Sequence, residues 1–135
     1  IIVIPGANGN VDESDLEKLH SALTDSSILL LQLEIPLEIV QSAATIAKQI
    51  GATVILDPAP APESFPESLY SSIDILTPNA IETAQLVGFS IRDQSDADRA
   101  ATVLQDRGAN TIVIKLGSQG AFCATKQERF MVPAF

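Results

Sequence analysis

A chain of 135 residues, 46% hydrophobic and 19% charged, is about one domain in size and can bury a core without disulfides or metals. Its formal net charge of −9 opposes binding to phosphate backbones and anionic membranes, which attract Lys and Arg, so neither is expected as a partner. No apolar run approaches the roughly 20 residues of a membrane helix, and the single cysteine, Cys123, has neither a disulfide partner nor zinc spacing, which fits a cytoplasmic protein with Cys123 in its core.

Along the chain the hydrophobic period switches repeatedly between that of strands and that of helices, which predicts an α/β fold. Ile1 to Ile4 reads as a short buried strand without the basic flank of a signal peptide, and an initial Ile in place of Met points to a start cut from a longer chain. After the turn-like PGANGN, Asp12 is placed to cap a helix with Leu16, Leu19, Ala22 and Leu23 inward. His20 is expected at the core margin, while Asp12, Glu13 and Asp15 complement the helix dipole. ILLLQL, Ile28 to Leu33, is apolar almost throughout and predicts a strand covered on both faces. Pro36 then suits the first turn of a helix carrying Ile39, Ala43, Ile46, Ala47 and Ile50 inward and stopped by Gly51.

TVILD, Thr53 to Asp57, predicts another strand, and the proline-rich PAPAPESFP an ordered loop with a short helix after Pro66. DILTP is a strand leading into NAIETAQLVG, a short helix closed by Gly88. Ser95 is expected to cap the next helix, which buries Ala97, Ala100, Ala101 and Leu104 and ends at Gly108. TIVIKL is the last core strand, and GAFCAT and RFMVPAF, separated by KQE, predict an antiparallel hairpin added to the sheet.

Parallel strands joined by helices bring ligands to the carboxyl ends of the strands. Three strand ends carry polar residues that a purely structural sheet does not require: Gln32 and Glu34, Asn79 and Glu82, and Lys115 to Gly120. They are expected to converge on one edge. PGANGN does not have the G-x-G-x-x-G spacing of a dinucleotide-binding turn.

The segments PGAN, LLLQLEIP, DPAPAP, DILTPNAIET and VIKLGSQGA, in this order and spanning nearly the whole chain, resemble those of the ribokinase-like carbohydrate kinase family. The resemblance implies a Rossmann-like three-layer fold of a mostly parallel sheet with flanking helices, represented here by residues 1–135 as an incomplete domain. It also implies an ATP-dependent kinase that uses Mg²⁺ to phosphorylate a sugar, with D-ribose to ribose 5-phosphate the leading reaction. K⁺ is a further candidate cofactor, and a homodimer the candidate assembly of the intact protein.

Carried over by position, the resemblance makes Glu34 the carboxylate that accepts from sugar hydroxyls; its plain structural account is a carboxylate favoured by the helix dipole after Pro36. Asn79 and Glu82 match the family's NxxE motif, which places Asn79 at ATP and Glu82 at the magnesium hydration shell. The same spacing is an ordinary capping box, and Ala80 stands where many relatives carry a second acidic residue. KLGSQG matches the nucleotide-binding turn, which assigns Lys115, Gly117, Ser118 and Gly120 to ATP; a hairpin turn alone would also call for its glycines. Asp57, before a proline, reads first as a turn residue.

In this family the catalytic base comes from a GxGD segment, which does not occur in these residues, and the N-terminal sugar-binding and lid portion is also missing. The resemblance therefore implies that residues 1–135 alone are inactive. A non-catalytic α/β module that binds nucleotide or a partner is the alternative from another class.

Overall fold

The computed structural model describes residues 4–135, so the strand expected over Ile1–Ile4 lies almost wholly outside the described residues. PGANGN contains a 3-10 turn, Gly6–Asn10. The first helix, α1 (Glu13–Leu23), begins as its sequence demands: Asp12 accepts from Ser14 N at 2.8 Å, and Asp15 accepts in return from Asp12 N. It packs chiefly on the helix α2 (Leu37–Gln49). Only a narrow stripe is therefore covered, and Ala22 and His20, expected inward or at the margin, are exposed.

Four short strands follow one another in parallel: β1 (Ile28–Leu31), β2 (Thr53–Leu56), β3 (Ile75–Leu76) and β4 (Thr111–Lys115). Between them run α2, α3 (Glu67–Tyr70), α4 (Ala80–Val87) and α5 (Gln94–Asp106). Two antiparallel strands, β5 (Ala121–Ala124) and β6 (Arg129–Val132), complete a six-stranded sheet in the order β1-β2-β3-β4-β5-β6. The predicted hairpin is thus present, and Arg129 ties it to α5 by reaching Asp98 Oδ1 at 2.6 Å, Thr102 Oγ1 at 2.9 Å and Gln105 Oε1 at 2.9 Å.

Two caps differ by a residue or two from expectation. Pro36 is the N-cap of α2 rather than its first residue, because its carbonyl already accepts from Ile39 N and Val40 N. The cap of α5 is Asp93, whose carboxylate accepts from Asp96 N at 2.9 Å, and Ser95 lies inside the first turn. Ile50, beyond the last turn of α2, is exposed.

Strands that are adjacent in both sequence and space, each reached by a right-handed crossover, send all their helices to the same face of the sheet. The burial pattern shows this. Leu29, Val54, Leu56, Leu76, Ile112, Ile114, Phe122 and Ala124 share one face by register and are buried under the helices. The opposite face carries Ile28, Leu30, Ile55, Ile75, Val113, Cys123 and Phe130, none fully buried. β1, expected to be covered on both faces, therefore alternates, with Ile28 54% and Leu30 71% exposed. Cys123 likewise stands half-buried on the open face, where desolvation pushes its thiol pKa up. The sheet and its flanking helices are those predicted, but the described residues supply two layers of the expected three.

The two faces predict opposite costs for one substitution. In urea denaturation of the 135-residue chain, Leu56→Ala, on the covered face, is expected to cost about 2–5 kcal/mol. Leu30→Ala, on the open face, should stay within about 0.5 kcal/mol. Equal losses would contradict the assignment of faces.

Candidate active-site edge

Because β1 to β4 are parallel, their carboxyl ends lie on one edge, and the polar residues predicted there do meet. Glu34, just past β1, accepts a long hydrogen bond of 3.4 Å from Asn8 Nδ2. Both border a cavity of about 540 Å³ whose wall continues through Gln32, Asp57 and Thr77 with Leu31 and Ile55. Asp57 carries the line onward: its Oδ2 accepts from Lys115 Nζ at 2.6 Å. Lys115 is joined to the Asn79 strand end by a parallel bridge, with Lys115 N donating to Pro78 O at 2.8 Å. Gly117–Gln119 then form a 3-10 turn directly after β4.

Asn79 and Glu82 make a complete capping box for α4. Asn79 Oδ1 accepts from Ile81 N at 2.8 Å and from Glu82 N at 2.9 Å, while Glu82 Oε2 accepts from Asn79 N at 2.7 Å. Glu82 is buried, and Thr83 Oγ1 adds a bond to Asn79 O at 2.7 Å. The Asn79 amide nitrogen is left to donate elsewhere, since only its oxygen serves the cap. Glu82 is held at the helix start through its Oε2. Among the described residues no three His, Cys, Asp or Glu side chains cluster as a metal cage.

The two glycines of the turn differ. At Gly120, with φ +96°, a Cβ would meet Val132 O at 1.9 Å and Ala134 N at 2.8 Å, so glycine is required by the chain's own backbone. Gly117, with φ +59°, faces nothing within 4 Å at the same test. Its backbone is open to an approaching ligand, and Ser118 beside it is exposed.

Asp57, Asn8 and Thr77 are the members of this edge that sequence reasoning ranked low or passed over. Nothing in the motif around Asn8 marks it. Asp57 carried a signal, a carboxylate at the end of an apolar strand, which the following proline masked as a turn. Its carboxylate takes no bond from the turn: Oδ1 is buried without a hydrogen-bond partner among the described residues.

The family described as pfkB family carbohydrate kinase matches residues 1–135. The ribokinase of Haemophilus influenzae is 38% identical over the whole chain, which covers 44% of that protein. The deoxyribokinase of Salmonella typhi is 33% identical over the same 135 residues, again 44% of its length. The structure of Arabidopsis thaliana ribokinase complexed with ribose and ATP superposes with a TM-score of 0.84 at 30% identity, covering 98% of this chain and 43% of that one. The chain thus spans less than half the length of the relatives it matches.

The turn gives a prediction independent of any ligand. Gly117→Ala, strained only by its positive φ, should cost about 1 kcal/mol, a few degrees in thermal midpoint, whereas Gly120→Ala should lower the midpoint by clearly more. Scanning calorimetry of both variants checks the order; a Gly117→Ala loss larger than that of Gly120→Ala would contradict the contact.

Proposed function

Because the chain belongs to the pfkB family of carbohydrate kinases, we propose that it forms the acceptor and nucleotide edge of an ATP-dependent sugar kinase that converts D-ribose to ribose 5-phosphate. The observation that carries this is the continuous polar line from the Glu34 cavity, through Asp57 and Lys115, to Asn79 and the Gly117 turn. It sets a polyol-sized cavity next to a cationic strand end.

In this reading Glu34 accepts from sugar hydroxyls, a geometry suited to an ionised carboxylate. Asn79, Lys115, Gly117, Ser118 and Gly120 bind ATP, with the Lys115 ammonium as a point charge for phosphate. Glu82 contacts the cation's hydration shell through water. Mg²⁺ bound with ATP supplies charge neutralisation across the transferring phosphates. The acceptor hydroxyl needs a base, and the family resemblance gives that role to a GxGD segment, which does not occur in residues 1–135. We assign the base to polypeptide outside residues 1–135. A K⁺ requirement, a homodimer and a cytoplasmic location belong to the same proposal. No helix among the described residues is long and apolar enough to cross a membrane. The similarity to a deoxyribokinase favours 2-deoxyribose as the second acceptor to test.

The test is ADP release by the full-length protein with Mg-ATP and ribose, 2-deoxyribose, fructose or nucleosides. Ribose-dependent release is expected, and none from residues 1–135 alone. Glu34→Ala should raise the KM for the sugar by about tenfold or more while leaving that for ATP within about twofold. Absence of release with every one of these acceptors would contradict the kinase reading and leave a non-catalytic module; an unchanged sugar KM in Glu34→Ala would remove Glu34 from the site.

A further inference from the structure

Lys115 and Asp57 stand on strands that are not neighbours. β3 lies between β2 and β4, so the lysine side chain must cross the end of β3 to reach the carboxylate at 2.6 Å. By strand alternation Asp57 continues the open-face series of Ile55, Thr77 that of Ile75, and Lys115 that of Val113. The pair therefore lies along the rim of the open face, with the Glu34 cavity on the Asp57 side and the Gly117 turn on the Lys115 side.

Stability does not account for it. An ion pair whose side chains are 44% and 28% exposed adds little to stability. Leaving a carboxylate oxygen buried without a partner among the described residues, as Asp57 Oδ1 is, costs more than such a pair returns. A turn-forming aspartate would instead accept from nearby backbone N–H groups. Among the described residues Asp57 takes no such bond, and Lys115 is the one side chain its carboxylate engages. An arrangement that costs more than it returns, beside a cavity, marks a group kept for binding chemistry.

We propose that Asp57 is the positioning residue for Lys115, holding its ammonium across the end of β3 between the sugar cavity and the nucleotide turn so that it meets the phosphates of bound ATP. This rests on the kinase reading for the identity of the ligand. Asp57 touches neither reactant in this role. Its effect passes through Lys115: without the carboxylate, a side chain with four rotatable bonds is released to solvent, and ordering it must be repaid when phosphate binds.

The experiment is calorimetric titration of the full-length protein with ATP in the absence of sugar, for the wild type, Asp57→Asn, Lys115→Met, the double variant and Asp57→Glu. Each of Asp57→Asn and Lys115→Met should weaken ATP by about three- to tenfold. The double variant should bind no more weakly than Lys115→Met, and Asp57→Glu should recover part of the loss. A merely structural Asp57 would give losses that multiply in the double variant and no recovery with Glu. Either of those results, an Asp57→Asn affinity within about twofold of wild type, or a wild type that does not bind ATP overturns the proposal. Failure of sugar-dependent ADP release alone, with this pattern intact, would sink the kinase reading and not the role of Asp57.

Discussion

Four parallel strands adjacent in both sequence and space leave the chain little freedom. Each return must be made by a right-handed crossover, and with every new strand added on the same side, all the helices fall on one face. Two consequences follow from that single constraint. The carboxyl ends of β1 to β4 share one edge, which gathers residues as distant in sequence as Glu34 and Lys115. The opposite face stays apolar and open, with Leu30 and Ile28 most exposed on the edge strand. The same winding that builds the site therefore leaves a surface that a complete kinase would be expected to cover with polypeptide outside these residues, in keeping with a chain that covers 44% of its bacterial relatives.

At the edge, electrostatics is arranged against the chain's general character. With a net charge of −9, a nucleotide phosphate would meet repulsion over much of the surface. Lys115 reaches this edge in an ion pair with Asp57, and in the proposed reading Asp57 sets where its ammonium stands. The partial positive end of α4 adds to it, although its first N–H groups at Ile81 and Glu82 are already taken by Asn79. The Glu34 cavity lies on the other side of the pair. In the proposed reading, the Asp57–Lys115 contact divides a hydroxyl-binding half from a phosphate-binding half.

Much of the fold was legible because local chemistry and tertiary structure agree in it. Asp12 and Asn79 cap where a side-chain oxygen followed by an acid three residues on should cap. Gly88 and the Pro66 helix start fall as their backbone preferences require. The errors come from what a linear pattern does not encode. Ser95 and Asp93 are both good N-caps, and only the hydrogen bond to Asp96 N separates them. β1 reads as doubly buried because its residues are apolar, yet whether its outer face meets a layer depends on polypeptide beyond these residues. At the candidate site the polar strand ends do meet on one edge, whereas Asp57 reads locally as a turn residue because Pro58 follows it. Its importance lies in a contact 58 residues away, which no local motif reveals. The N-x-x-E spacing shows the converse: the capping box is fully formed, while the amide nitrogen of Asn79 and Oε1 of Glu82 take no part in it.

The central claim is that one strand edge holds sugar and nucleotide on either side of the Asp57–Lys115 pair. The most direct measurement is a crystal structure of the full-length protein with ribose and a non-hydrolysable ATP analogue. The account predicts ribose hydroxyls on Glu34, analogue phosphates on Lys115 and the Gly117 turn, and Asp57 still in contact with Lys115. Ligands bound away from this edge, or phosphates that leave Lys115 untouched, would contradict it.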